Sequence, residues 1–252
     1  MSEGVQPLAG KVVLLTGGSR NLGAEVARRF AGLGANVAVN HYRDGEMAEE
    51  LVQSLRKEGH NAVEIEADVS QRAEVSRLVE AAVQALGPVD ILIHCAGPFA
   101  MTPFVDMPED EWDGILDVNT KAGYMLAQQL APGMAERGWG RIILVSAGSA
   151  YIRTHSIYSL AKATNITLTE LLAVELGPSI TVNAIAPGYI ATDMNPELRE
   201  NRETNKFILD RVSAGRWGVP ADLQGAAVFL ASEASAYVHG VVLPVDGGWL
   251  AR

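Results

Sequence analysis

The run Lys11-Val-Val-Leu-Leu-Thr-Gly-Gly-Ser-Arg-Asn-Leu-Gly-Ala-Glu-Val-Ala-Arg-Arg-Phe30 decides the fold of this chain. Residues 11–15 are a short apolar run, 16–23 a glycine-bearing turn and 22–33 an amphipathic stretch. An unbroken apolar run suits a strand buried on both faces, and the spacing that follows suits a helix with one apolar stripe. Outward from this unit the pattern repeats. Strands are predicted over 36–39, 62–66, 89–93, 141–145, 180–185 and 241–244. Helices are predicted over 46–57 (closed by Gly59), 71–86 and 156–176, with two helical stretches across 109–137. The alternation predicts an α/β fold, a parallel sheet with helices over both faces. No linker, low-complexity tract or solenoid-length repeat interrupts it, so residues 1–252 are read as one domain.

Composition narrows the function. With 48% hydrophobic and 20% charged residues, the 252-residue chain has the make-up of an ordinary globular domain with a sizeable core. No apolar run approaches the roughly 20 residues that span a bilayer, and residues 1–10 lack the basic and apolar blocks of a signal peptide. A single cysteine, Cys95, rules out an internal disulfide framework and suits a reducing cytoplasm. The net charge of −10 argues against a nucleic-acid partner, and the five scattered histidines show no metal-ligand spacing.

The turn carries the first chemical signal. Between a strand and a helix N-terminus, unpaired backbone N–H groups and the positive end of the helix dipole suit a pyrophosphate. Gly17 and Gly23 suit the close backbone approach this needs, although many such turns hold glycine only to turn, and the spacing is not G-x-G-x-x-G. An NAD site places an acid about 20 residues on, for the ribose 2′-hydroxyl. Here the second strand ends in Asn40-His41-Tyr42-Arg43, with no acid before Asp44. Arg43 and Arg20 together could clamp a 2′-phosphate, which favours NADP(H).

The second signal is Tyr158-Ser-Leu-Ala-Lys162. Ser156 can cap a helix on which residues four apart share one face. A free phenol, with a pKa of about 10, is too weak an acid for neutral pH, and a neighbouring ammonium is expected to lower it. Tyr158 could then give a proton to a carbonyl oxygen while hydride reaches the carbon.

On these residues the chain resembles the short-chain dehydrogenase/reductase family over nearly its whole length. The Thr16–Gly23 turn is similar to that family's phosphate loop, Ala67-Asp68-Val69 to its adenine-contacting segment, and His94-Cys95-Ala96-Gly97 to its N-N-A-G motif. Asn119, the Tyr158–Lys162 pair, Asn183-Ala-Ile-Ala-Pro-Gly188 and Asp246-Gly-Gly248 continue the series. The resemblance implies a doubly wound, Rossmann-type, seven-stranded sheet, mostly or fully parallel, in a homo-oligomer (a dimer or tetramer). It implies cofactor contacts at Gly17, Ser19, Arg20, Asn21, Leu22, Gly23, Asn40, His41, Tyr42, Arg43, Asp68, Val69, Cys95, Ala96, Gly97, Tyr158, Lys162, Pro187, Gly188, Ile190 and Thr192. It also implies that Asn119 holds a water linking Lys162 to solvent.

The chain departs from the family at several points. Asn21 stands where glycine is usual, tolerable because asparagine enters the left-handed region more readily than most residues. His94 and Cys95 replace two asparagines; they read as a hydrogen-bonded structural histidine and a small buried hydrophobe. The serine that binds the substrate oxygen aligns with Ala147. Ser146, 12 residues before Tyr158, is the first replacement and Ser149 the second. Pro98, Phe99, Met101, Tyr151, His155, Tyr189 and Met194 are candidate pocket walls, which favour an apolar or aromatic carbonyl compound over a sugar. Residues 190–216 read as a lid insertion, mobile over 194–216, where charges surround Phe207, Ile208 and Leu209. An acyl carrier protein remains a candidate partner: Arg141 matches one docking position in similar reductases, while Val174 stands where a second cation is common.

The reading that follows is an NADPH-dependent oxidoreductase acting on a ketone or β-ketoacyl carbonyl, with Asn119, Ser146, Tyr158 and Lys162 catalytic and no metal. Reduction of C=C or C=N in an enoyl or pterin-type substrate is the enzymatic alternative. A catalytically silent NADP(H) sensor or scaffold is the other. Substrate, stereochemistry and physiological direction are not written in the sequence, because pocket walls come from loops that vary on a fixed scaffold.

Overall fold

The computed structural model describes residues 6–152 and 156–251. Seven strands form one sheet: β1 (Val12–Thr16), β2 (Asn36–His41), β3 (Ala62–Glu66), β4 (Ile91–His94), β5 (Gly140–Val145), β6 (Ile180–Pro187) and β7 (Val242–Val245). Every pairing is parallel and the order is β3-β2-β1-β4-β5-β6-β7. Consecutive strands run one way from β1 to β3 and the other way from β4 to β7. Between β1 and β4, therefore, the crossovers diverge and leave a crevice at the carboxyl ends.

The side chains of each strand divide between two faces. Leu14, Leu92, Ile142, Leu144 and Val182 pack on one side beneath α3 (Arg72–Leu86), α5 (Ala122–Glu136) and α7 (Ser156–Leu176). Val13, Leu15, Val37, Ile93, Ile143 and Ile185 pack on the other beneath α1 (Asn21–Gly32), α2 (Gly45–Lys57) and α10 (Gln224–Ala231). Phe30 of α1 is fully buried in that second layer, a burial worth roughly 1.5–3 kcal/mol. The layering explains why the strands read as continuous apolar runs.

Five strands extend one or two residues beyond their predicted carboxyl ends. Thr16, Asn40, His41, His94 and Pro187 break the apolar pattern but stay in register, Thr16 lying between Asn40 and His94. The ends that sequence patterning truncates are those that carry the site.

Between α4 (Glu109–Leu116) and α5 lies a π-helical turn, Asp117–Lys121. The expected 190–216 lid contains α8 (Pro196–Glu200) and α9 (Arg202–Arg211), the latter capped by the Asn201 side chain, which accepts from the Glu203 and Thr204 N–H groups. Its apolar residues Ile208 and Val212 are buried beside Trp249. Sequence patterning missed α10, which is apolar all round, and the one-turn α6 (Ser149–Ile152). No helix among the described residues is long and apolar enough to cross a membrane.

Candidate active site

A cleft of about 1280 Å³ opens where β1 and β4 part. The glycine turn forms one end. Gly17 has φ +63°, and a Cβ there would lie 2.7 Å from the Ala96 Cα; a Cβ on Gly23 would strike the Gly17 carbonyl. Only hydrogen fits at either position, so the turn closes tightly at the start of α1 and leaves its N–H groups to a phosphate. Asn21 occupies the left-handed region with φ +47°, as its side chain allows.

The guanidinium groups sit around this end. Arg20 pairs with Asp193 at 3.1 Å and Asp44 at 3.6 Å, and Ser19 donates to Asp44 at 3.3 Å. The Asn21 amide also donates to Asp193, tying the turn to the segment after β6. Arg43 is exposed, with its guanidinium 4.8 Å from the Tyr42 ring centre. Asp68 accepts from the Ser70 N–H at 3.0 Å and hydroxyl at 2.7 Å, which shapes the turn after β3. Ser19, Leu22, Tyr42, Val69, Cys95, Gly97, Pro187, Gly188, Ile190 and Thr192 also line the cleft. Asn40 lines it too, but its amide is committed to the carbonyls of His41, Ile65 and Ala67 at 3.1–3.2 Å. His41 is buried and does not line the cleft.

At the other end, α7 carries Tyr158 and Lys162 one turn apart, both lining the cleft. The Lys162 Nζ lies 5.6 Å from the Tyr158 ring centre and donates to the Val145 carbonyl at 2.9 Å. Asn119 does not reach the cleft surface; it lies behind Gly97. A Cβ on Gly97 would collide with Asn119 Oδ1 and lie 2.9 Å from Lys162 Nζ. The Asn119 amide donates to the Pro98 carbonyl at 3.1 Å and the Ile115 carbonyl at 3.0 Å, while its buried Oδ1 has no donor among the described residues. Asn165, one turn beyond Lys162, donates to the Asn119 backbone carbonyl at 2.9 Å and holds the π-turn in place.

Electrostatics here depart from the sequence expectation. Burial pushes the Tyr158 phenol up, with a further push from Cys95, and the Lys162 ammonium does not offset this. Burial also lowers Lys162, to about 8. Both groups have lost water, and desolvation favours the neutral form of each. The phenol is therefore held protonated, while the amine titrates just above neutrality.

The serine positions separate clearly. Ser146 is buried, and its hydroxyl donates to the Lys162 carbonyl at 2.7 Å. A hydroxyl has one proton to give, so Ser146 must break that bond before donating to a substrate. The Ser149 hydroxyl is buried in the cleft wall with no partner among the described residues. Ala147 lines the wall without a polar atom.

His94 is structural. Its Nε2 faces the Val118 carbonyl at 3.0 Å, which can only accept, so Nε2 carries the proton and Nδ1 accepts from the Thr16 hydroxyl at 2.8 Å. Burial and the Lys162 charge lower it to about 4, so the ring is neutral at physiological pH. Burial raises the Cys95 thiol, consistent with a small hydrophobe rather than a thiolate.

Of the expected pocket walls, Pro98, Phe99, Tyr189 and Met194 line the cleft. Met101 and Tyr151 are exposed outside it, and His155 lies outside the described residues. The sequence reading missed Ala100, Ile115, Leu198 and Trp249, which stand in the same wall. The Asp246-Gly-Gly248 motif was the available signal for Trp249, the residue that follows it. Arg141 is 3% exposed, stacked on Trp139 at 4.3 Å and bonded to the Gly140 carbonyl at 3.0 Å, so it offers no docking cation to a carrier protein.

Residues 17–250 match the sequence profile of the family described as enoyl-(acyl carrier protein) reductase. The chain is 40% identical over 251 residues to a 2-dehydro-3-deoxy-D-gluconate 5-dehydrogenase of Dickeya dadantii (strain 3937), covering 97% of each chain. It is 37% identical over 246 residues to a 5-keto-D-gluconate 5-reductase of Escherichia coli (strain K12), covering 96% of each. Among solved structures, a gluconate 5-dehydrogenase from Burkholderia cenocepacia J2315, crystallised with NADP and tartrate, is similar with a TM-score of 0.93 and 33% identity over 98% of each chain.

Proposed function

The chain belongs to the short-chain dehydrogenase/reductase family, and on that premise we propose that it is an NADP(H)-dependent oxidoreductase interconverting a ketone and a secondary alcohol. The observation that carries this reading is one cleft lined at one end by the Gly17–Gly23 turn and at the other by Tyr158 and Lys162. NADP(H) fits the residues present. The turn offers a cradle that any Cβ would fill, Arg20 and Arg43 supply guanidinium groups for a 2′-phosphate, and β2 ends without an acid. NADP in the similar Burkholderia structure supports the same choice. When bound, the nicotinamide supplies or accepts the hydride.

The chain's own residues handle the proton. Tyr158, held as the phenol by burial, donates to the carbonyl oxygen during reduction. Lys162, charged below about pH 8, stabilises the phenolate left behind and holds ribose hydroxyls. The unpaired Asn119 Oδ1 behind Gly97 would accept from a water that returns the proton. Ser149, rather than Ser146, supplies the hydrogen bond that fixes the carbonyl oxygen, since its hydroxyl is the unpartnered one. Residues 190–216, bringing Met194 and Leu198 to the cleft, serve as the lid. The buried Arg141 removes the support for a carrier-protein partner, so the substrate is read as a small ketone rather than a carrier-bound β-ketoacyl group.

Replacing Tyr158 by Phe tests the mechanism. Turnover with NADPH should fall at least about 10²-fold, the usual scale of a general-acid contribution, with NADPH binding retained. Near-normal turnover would remove Tyr158 from the proposed role. NADH assayed in parallel tests the arginine pair.

A further inference from the structure

The far end of the cleft is built around Trp249, and its construction points to a substrate class. Trp249 is 1% exposed and starts a short 3₁₀ turn, Trp249–Ala251. The Asp246 carboxylate fixes this turn by accepting from the Gly248 N–H at 2.9 Å and the Leu250 N–H at 3.0 Å. The indole is enclosed by the edge contacts of Tyr189 at 4.7 Å and Phe207 at 5.9 Å, with the Arg211 guanidinium 4.6 Å from its centre. Three segments, the 246–251 turn, Tyr189 and α9, thus hold one ring that lines the cleft. Its Nε1–H is buried and has no acceptor among the described residues. A buried indole N–H ordinarily finds a partner, because indole can only donate and its desolvation is otherwise uncompensated.

The surroundings define what could supply that partner. The opposite wall is apolar, with Phe99 edge-on to the Tyr158 ring at 4.9 Å and Ala100 and Ile115 beside it. On the described cleft wall the cations are Arg20 and Arg43 at the nucleotide turn and Lys162, committed to Val145. Helix α4 instead presents Asp110, Glu111 and Asp113 to the cleft. A carboxylate entering this end would meet like charge and an apolar wall, the nearby Arg211 guanidinium being held against Trp249 and not part of the described lining.

We propose that Trp249 anchors a substrate subsite for an uncharged ketone with an apolar ring or chain and a second hydrogen-bond acceptor, not for a sugar acid. The proposal rests on the hydride-transfer reading above and names the substrate class of that site. It sets this chain apart from the relatives named for keto-gluconates.

The test compares cyclohexanone, cyclohexane-1,4-dione and 5-keto-D-gluconate as NADPH-dependent substrates, and as ligands of the NADP⁺-loaded protein by calorimetry. Wild-type protein should prefer both cyclic ketones to the keto-gluconate. Trp249→Phe keeps a ring but removes the N–H; it should raise KM or Kd for the dione about 3- to 10-fold more than for cyclohexanone, the scale of one neutral hydrogen bond. Keto-gluconate bound or turned over as well as the cyclic ketones would overturn the substrate class. Equal loss on dione and cyclohexanone in Trp249→Phe would overturn the hydrogen-bonding role. Failure of the hydride reading looks different: ketones bind, Trp249→Phe discriminates between them, and nothing is turned over.

Discussion

Ser146 and Ser149 should respond in opposite senses to replacement by alanine. Ser149 holds a buried hydroxyl without a partner among the described residues, a state that costs about 1–3 kcal/mol, so Ser149→Ala should recover part of that. It also places a better helix former in the first turn of α6. For a chain of this size each kcal/mol corresponds to roughly 2–4 °C in Tm, so the variant should melt about 2–4 °C higher. If this hydroxyl fixes the carbonyl oxygen, kcat should fall about 10²–10³-fold, or about 3–4 kcal/mol of transition-state stabilisation. Ser146→Ala instead loses the 2.7 Å bond to the Lys162 carbonyl. A buried neutral hydrogen bond is worth about 0.5–1.5 kcal/mol, so Tm should fall by roughly 1–6 °C. Because that bond only seats the backbone of Lys162, kcat should fall less than about tenfold, well short of the loss on removing an oxyanion donor. Thermal melts and NADPH-dependent turnover of both variants, with an active ketone, read the two effects side by side. The reasoning is refuted if Ser149→Ala keeps wild-type kcat, or if Ser146→Ala loses turnover with its Tm unchanged. The second result would mean that the Ser146 hydroxyl leaves Lys162 for the substrate.

Two further predictions follow from the same end of the cleft. Gly97→Ala would drive a methyl group into Asn119 Oδ1 and to 2.9 Å from Lys162 Nζ. Overpacking of about 1–3 kcal/mol and a kcat loss of up to about 10²-fold are expected, with NADPH affinity affected less; normal kcat and Tm would show that the wall yields without disturbing the pair. The rate of ketone reduction should fall as pH rises through about 8, because burial lowers Lys162 and its charge is lost above that pH, while the raised Tyr158 phenol stays protonated. A rate that is flat from pH 7 to well above 8 would separate Lys162 from the proton step. The sign for stability is opposite: between about 8 and the ordinary lysine value of 10.5 the unfolded chain binds more protons at Lys162, so this group makes the fold more stable as pH rises.

The alternation of strands and helices, and hence the layered parallel sheet, was legible along the chain, because strands buried on both faces must be continuously apolar. Val13 and Leu14 illustrate this, serving opposite layers from adjacent positions. The sequence also brought forward the Gly17–Gly23 turn and the Tyr158–Lys162 pair, because glycines in a strand-to-helix turn and an i, i+4 spacing are local patterns. The atom that leaves Gly17 no room for a Cβ, however, belongs to Ala96. Tertiary packing separates the two hydroxyls: Ser146 is bonded to a carbonyl 16 residues away, while Ser149 has no partner among the described residues. It also buried Arg141, which the sequence offered as a surface cation, and placed Trp249 against Tyr189 and Phe207. The phenol was raised rather than lowered for the same reason. Desolvation depends on everything packed around a group, and no spacing along the chain records it.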